Sequence, residues 1–159
     1  ELLAAPLPEL PSADQAQREA LLAWSDQTDY GAFRPGQMHV LFLQCAKAAP
    51  ARRALVDSRE DGAEDGYSYA ELCRMCLDIA VQLQRDHGVG HDSMVPLLFE
   101  RGVRMVAAIY GVLIAGGAYV PLEPHFPPAR SLAILEQVRP RVALTTPALC
   151  GRVSPAALG

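Results

Sequence analysis

An α/β fold, a layered sheet with flanking helices, is what this sequence predicts, and three patterns carry the expectation. Apolar residues recur at helical spacing in several segments, short apolar runs of strand length lie between them, and glycine or proline separates one kind from the other. Strand, helix, strand, helix, strand is the order in which layered sheets are assembled.

The alternation can be followed along the chain. Residues 1–36 read as a linker with a short helix: Pro6, Pro8 and Pro11 break any periodicity, and Asp14 can cap a helix running to about Trp24. Met38, Leu41, Phe42 and Cys45 then form one helical stripe, which Pro50 stops. Ala54 to Val56 reads as a strand, the acidic run from Ser58 to Gly66 as a hairpin loop, and Tyr67 to Tyr69 as the return strand. A helix from about Ala70 to Asp86 carries Leu72, Cys73, Cys76, Leu77, Ala80 and Leu83 on one side, and Gly88 and Gly90 end it.

Met94 to Phe99 is a strand of apolar residues, and Pro96, which has no ladder donor, points to an edge position. From Val103 to Ala115 the residues are apolar on nearly every side, with Val106, Ile109, Tyr110 and Leu113 aligned, as in a buried helix. Gly116 and Gly117 close it, Ala118 to Leu122 forms a strand, and Pro124 and Pro127 stiffen the next loop. Pro128 suits the first turn of a helix that reaches Val138 before Pro140 bars it; Val142 to Thr145 is the last strand.

Composition narrows the functional classes. Half of the 159 residues are hydrophobic and a fifth are charged, the balance of a folded domain. A net charge of −4 with scattered arginines argues against a nucleic-acid partner. No apolar run approaches the roughly 18 residues of a membrane span, so no membrane partner is expected. Four cysteines are too few for a secreted disulfide scaffold, which places the chain in a reducing, cytoplasmic setting.

Each candidate reactive cluster has a plainer structural explanation. Cys73 and Cys76 have the spacing of a redox or zinc pair, but both fall in an apolar helical stripe without a second pair, as packing residues do. His87 and His91 flank Gly88 and Gly90 beside Asp92, yet helix precedes and strand follows, the reverse of a dinucleotide loop; an exposed turn is expected. Glu100 and Arg101 follow a strand and are expected to form a structural ion pair. The only lysine is Lys47, and no glycine-rich phosphate loop precedes it. On the residues themselves, no catalytic, cofactor-binding or metal-binding set is assigned.

Two segments resemble signature motifs of the nonribosomal peptide synthetase adenylation domains, which are adenylate-forming, AMP-binding enzymes. Tyr67-Ser68-Tyr69-Ala70-Glu71-Leu72 is similar to that family's Leu-Thr-Tyr-x-Glu-Leu. The run Leu113-Ile114-Ala115-Gly116-Gly117-Ala118-Tyr119-Val120-Pro121-Leu122-Glu123-Pro124 is similar to Leu-Lys-Ala-Gly-x-Ala-Tyr-Val-Pro-Leu-Asp-Pro, with Ile114 in place of lysine and Glu123 in place of aspartate. Trp24, Ser25 and Thr28 resemble the family's stretch between condensation and adenylation domains, and Leu98 to Gly102 its Leu-x-Glu-Arg-Ser. The likeness runs from about residue 15 to 146.

The resemblance implies the N-terminal portion of the large subdomain of an adenylate-forming enzyme, with residues 37–159 an incomplete N-terminal segment of the adenylation domain. It implies a parent that activates an amino acid with ATP and Mg²⁺ as aminoacyl-AMP, for transfer to the phosphopantetheine of a carrier protein. Expected partners are the remainder of the adenylation domain and the adjacent condensation and carrier domains. The family's phosphate loop, substrate pocket and catalytic lysine have no counterpart here, so this piece alone is expected to be inactive. The motif residues, from Tyr69, Glu71 and Leu72 to Leu113, Ala115, Gly116, Ala118, Tyr119, Val120 and Pro121, are therefore expected to be architectural. A non-catalytic remnant serving as a docking or spacer module is the alternative; a free-standing nucleotide-binding domain is disfavoured by the missing phosphate loop.

Overall fold

Ser68 begins the longest of the described helices by donating and accepting at once. In the computed structural model, which describes residues 37–58, 62 and 64–152, the Glu71 N–H donates to Ser68 Oγ at 3.3 Å and the Ser68 N–H donates to Glu71 Oε2 at 2.8 Å. This reciprocal capping box satisfies two otherwise orphaned donors. The helix expected over residues 14–24 lies outside the described residues.

Four helices and five strands follow in order among the described residues: α1 (Met38–Ala48), β1 (Arg53–Ser58), β2 (Glu64–Ser68), α2 (Tyr69–His87), β3 (Met94–Leu98), α3 (Val103–Ala115), β4 (Ala118–Leu122), α4 (Pro128–Val138) and β5 (Leu144–Thr145), with a short 3₁₀ turn at Cys150–Arg152. The first two strands pair antiparallel as a hairpin, Val56 opposite Gly66 and Asp57 opposite Asp65. The other three form a parallel sheet in the order β4-β3-β5.

That order places helices on both faces. From β3 the chain crosses through α3 to β4 on one flank, then returns through α4 to β5 on the other. Right-handed crossovers in opposite directions put α3 and α4 on opposite faces of the sheet. The buried clusters agree. Val95 and Leu97 pack with Ala80, Leu83, Ala108 and Val112 of α2 and α3, whereas Leu98 packs with Leu122 and with Leu135 of α4. A third cluster joins α1 to α2 and α3 through Phe42, Leu72, Cys76 and Ala107, where the Phe42 and Tyr110 rings stack at 4.4 Å.

Several expectations need correction. Pro96 lies in the central strand, not at an edge. Its missing N–H is tolerated because β5 meets β3 only at Leu97 and Leu98, so no described strand faces Pro96 on that flank. The same vacancy shortens β5 to Leu144–Thr145, for extending it backwards would set Ala143 against a residue without a donor. In α1 only Phe42 of the expected stripe is buried, joined by Ala46; Met38, Leu41 and Cys45 are exposed. In α2, Leu77 is exposed as well. In α3 the deepest residues are the small ones, Ala107, Ala108, Gly111, Val112 and Ala115, rather than Val106, Ile109, Tyr110 and Leu113. Tyr69 opens α2 instead of ending β2.

Small residues in α3 have a clear cause. A Cβ added at Gly111 would lie 2.6 Å from Ile79 Cγ2 and 3.2 Å from the Cys76 carbonyl oxygen, so α2 and α3 approach closely only because that position is bare. Gly111→Ala is expected to lower stability by about 1–3 kcal/mol through overpacking, read as a lower urea midpoint at unchanged slope. Arg139 caps the end of α4 in the left-handed region at φ 45°. Arg139→Gly is expected to raise stability by up to about 1 kcal/mol, because glycine adopts that conformation without a Cβ penalty; a lower thermal midpoint would contradict this.

Candidate functional site

In open parallel sheets, ligand crevices form beyond the carboxyl ends of the strands, where the winding reverses. Here β3 is that strand, with β4 and β5 reached by connections running opposite ways. Beyond the ends of β3 and β4 lies a cavity of about 260 Å³ floored by Leu98, Phe126 and Leu132, with Glu123, Ser131 and Arg152 contributing polar groups. Prolines 124 and 128 hold its wall, and the Arg130 guanidinium stands 4.5 Å from the centre of the Phe126 ring. Glu100 and Arg101 sit on the loop leaving β3. The ion pair expected between them is absent: among the described residues, neither is in an ion pair. Both side chains sit on an exposed turn, where such a pair offers little return for the ordering it requires.

The loop after β3 is held from a distance. Gly102, at φ 149°, precedes α3 and has no side chain with which to cap it. Asp57 of β1 supplies the cap instead, its Oδ2 accepting from the Val103 N–H at 3.0 Å across 46 residues of sequence. A Cβ at Gly102 would lie 3.1 Å from that same oxygen, so glycine leaves room for the carboxylate. Sequence reasoning missed this residue, since a cap contributed by another element has no local spacing to betray it. The Ser68–Glu71 box was missed too, although Ser-x-x-Glu ahead of an apolar run is its signature.

The motif residues fall at the two ends of α2 and α3. Glu71 caps α2, and hydrogen bonds from the Ser68 backbone and then its hydroxyl hold its carboxyl below the usual carboxylate range. Tyr69 packs near Phe42, ring centres 6.0 Å apart, and Leu72 is buried beneath. At the far end of α3, Gly116 adopts φ 90°, and Leu113 and Val112 accept the Gly116 and Gly117 N–H groups at 3.1 and 3.0 Å. Ala115 is buried and its carbonyl accepts from Gln84 Nε2 at 3.2 Å. The Ala118 N–H then donates to the Ser93 carbonyl at 2.8 Å, which starts β4 alongside β3. Tyr119, Val120 and Pro121 continue that strand, with Tyr119 and Pro121 exposed.

The remaining sequence candidates are not drawn into a reactive set. Cys76 is fully buried; burial first, and the neighbouring Cys73 second, push its thiol up to about 12. His91 and Asp92 pair at 3.1 Å on an exposed turn. That turn and the segment Val138–Val142 border a second, more open cleft of about 500 Å³ at the amino end of the sheet. The C-termini of α2 and α4 meet there, and Arg139 and Arg141 complement their negative ends. Among the described residues, no three histidine, cysteine, aspartate or glutamate side chains group as a metal set, and no helix is long and apolar enough to cross a membrane.

The family model for AMP-binding enzymes matches residues 42–158. The chain belongs to the AMP-binding enzyme family. Within that family it is 34% identical over 149 residues to nonribosomal peptide synthetase 5 of Gibberella zeae, covering 93% of this chain and 1% of that protein. It is 33% identical over 148 residues to tyrocidine synthase 2 of Brevibacillus parabrevis, covering 92% and 4%. Among solved structures, the nonribosomal peptide synthetase FmoA3 in its α-methyl-L-serine-AMP-bound form matches at TM-score 0.69 and 31% identity, covering 79% of this chain and 14% of that one. A fatty acid AMP ligase from Legionella pneumophila shares the fold at TM-score 0.65 and 22% identity, covering 74% and 21%. The chain thus spans a small fraction of the length of each.

The AMP-binding family implies ATP, and among the described residues no glycine-rich loop with a lysine is assembled for its phosphates. Phosphates need converging backbone N–H groups and a cation. The left-handed glycines Gly88 and Gly116 instead close helix C-termini, and Lys47 lies in α1, bordering a groove between α1 and α2.

Two outcomes test these assignments. Asp57→Ala is expected to cost about 1 kcal/mol of unfolding free energy, and Asp57→Asn distinctly less, because asparagine also caps. In the unfolded chain Cys76 ionises near pH 9, and in the folded chain only near 12. Ionisation therefore favours unfolding in that window, and stability contributed by the neutral thiol is lost as pH rises through it. Urea midpoints should show the wild-type chain losing stability relative to Cys76→Ala between pH 9 and 12.

Proposed function

We propose that this chain is the opening structural part of a nonribosomal peptide synthetase adenylation domain, with residues 1–36 a linker and residues 37–159 an incomplete N-terminal segment. The likeness to FmoA3, solved with an aminoacyl adenylate, carries the reading, since it extends over most of this chain in both sequence and backbone. The parent activates an amino acid: the substrate carboxylate attacks the α-phosphate of ATP, the aminoacyl-AMP mixed anhydride forms, and pyrophosphate leaves. The acyl group then passes to the phosphopantetheine thiol of a carrier protein, displacing AMP. Adjacent condensation and carrier domains and the remainder of the adenylation domain are its partners, in the cytoplasm.

This segment contributes scaffold to that reaction, which depends on positioning around phosphates and metal. The Gly116 turn delivers β4 to the side of β3, and the Asp57 cap fixes the loop that leaves β3. Tyr69, Glu71, Leu72, Leu113, Ala115, Ala118, Tyr119, Val120 and Pro121 serve the same architecture. Phosphate-binding and substrate-selecting groups are supplied by other parts of the domain. Residues 1–159 by themselves are expected to give no amino-acid-dependent ATP–pyrophosphate exchange, while the whole domain containing them does. Turnover by residues 1–159 alone would overturn the assignment.

A further inference from the structure

We draw no further inference here: the strongest candidate, the largely apolar cavity beyond the carboxyl ends of β3 and β4 between Leu98, Phe126, Leu132 and Arg152, carries none because nothing in the structure shows what covers it.

Discussion

The approach of α2 to α3 at Gly111 sets how the helices on one face of the parallel sheet fit together. Ile79 occupies the space that a side chain would fill, and the Cys76 carbonyl lies just beyond it. With the two helices that close, Ala80 and Leu83 of α2 and Ala108 and Val112 of α3 reach one face of β3 together. Interiors are packed densely enough that a single methyl group at such a crossing is felt throughout. On the opposite side of the same helix pair, Phe42 enters from α1 and stacks on Tyr110, so the crossing also determines where α1 attaches. One bare position thereby couples the sheet to α1.

The two sequence motifs lie at the ends of these two helices. Ser68 and Glu71 satisfy donors at the start of α2, and Gly88 ends it in the left-handed conformation, with the Val89 N–H reaching the Leu83 carbonyl at 3.0 Å. Gly116 ends α3 in the same manner. Each motif therefore marks a place where the chain changes direction.

Much of this was legible in the sequence wherever a residue acts on its own backbone. The limits of α3 and α4 were readable from Gly116, Pro128 and Pro140, because φ restriction and missing donors are local effects. Apart from the local Ser68–Glu71 box, what escaped was set by partners distant along the chain. Pro96 reads as an edge residue until β5 is seen to bypass it, and a stripe in α1 reads as buried until only Phe42 finds a ring to stack on. Asp57 falls between the strand and the loop that the sequence suggests, yet it caps a helix begun far downstream. The strand-end cavity was likewise invisible, since its walls come from three separate stretches.

The strand order also bears on how the molecule is made. Hairpin pairing and the α2 cap join near neighbours, whereas Leu97 must wait for Leu144 before the central strand acquires its second flank. Non-local closure of this kind is slow relative to local structure. During synthesis, the hairpin and its following helix can take shape while the parallel sheet remains two-stranded, with one side of β3 open to solvent. Of these three parallel strands, the last to leave the ribosome is therefore the one that flanks the carboxyl end of the middle strand.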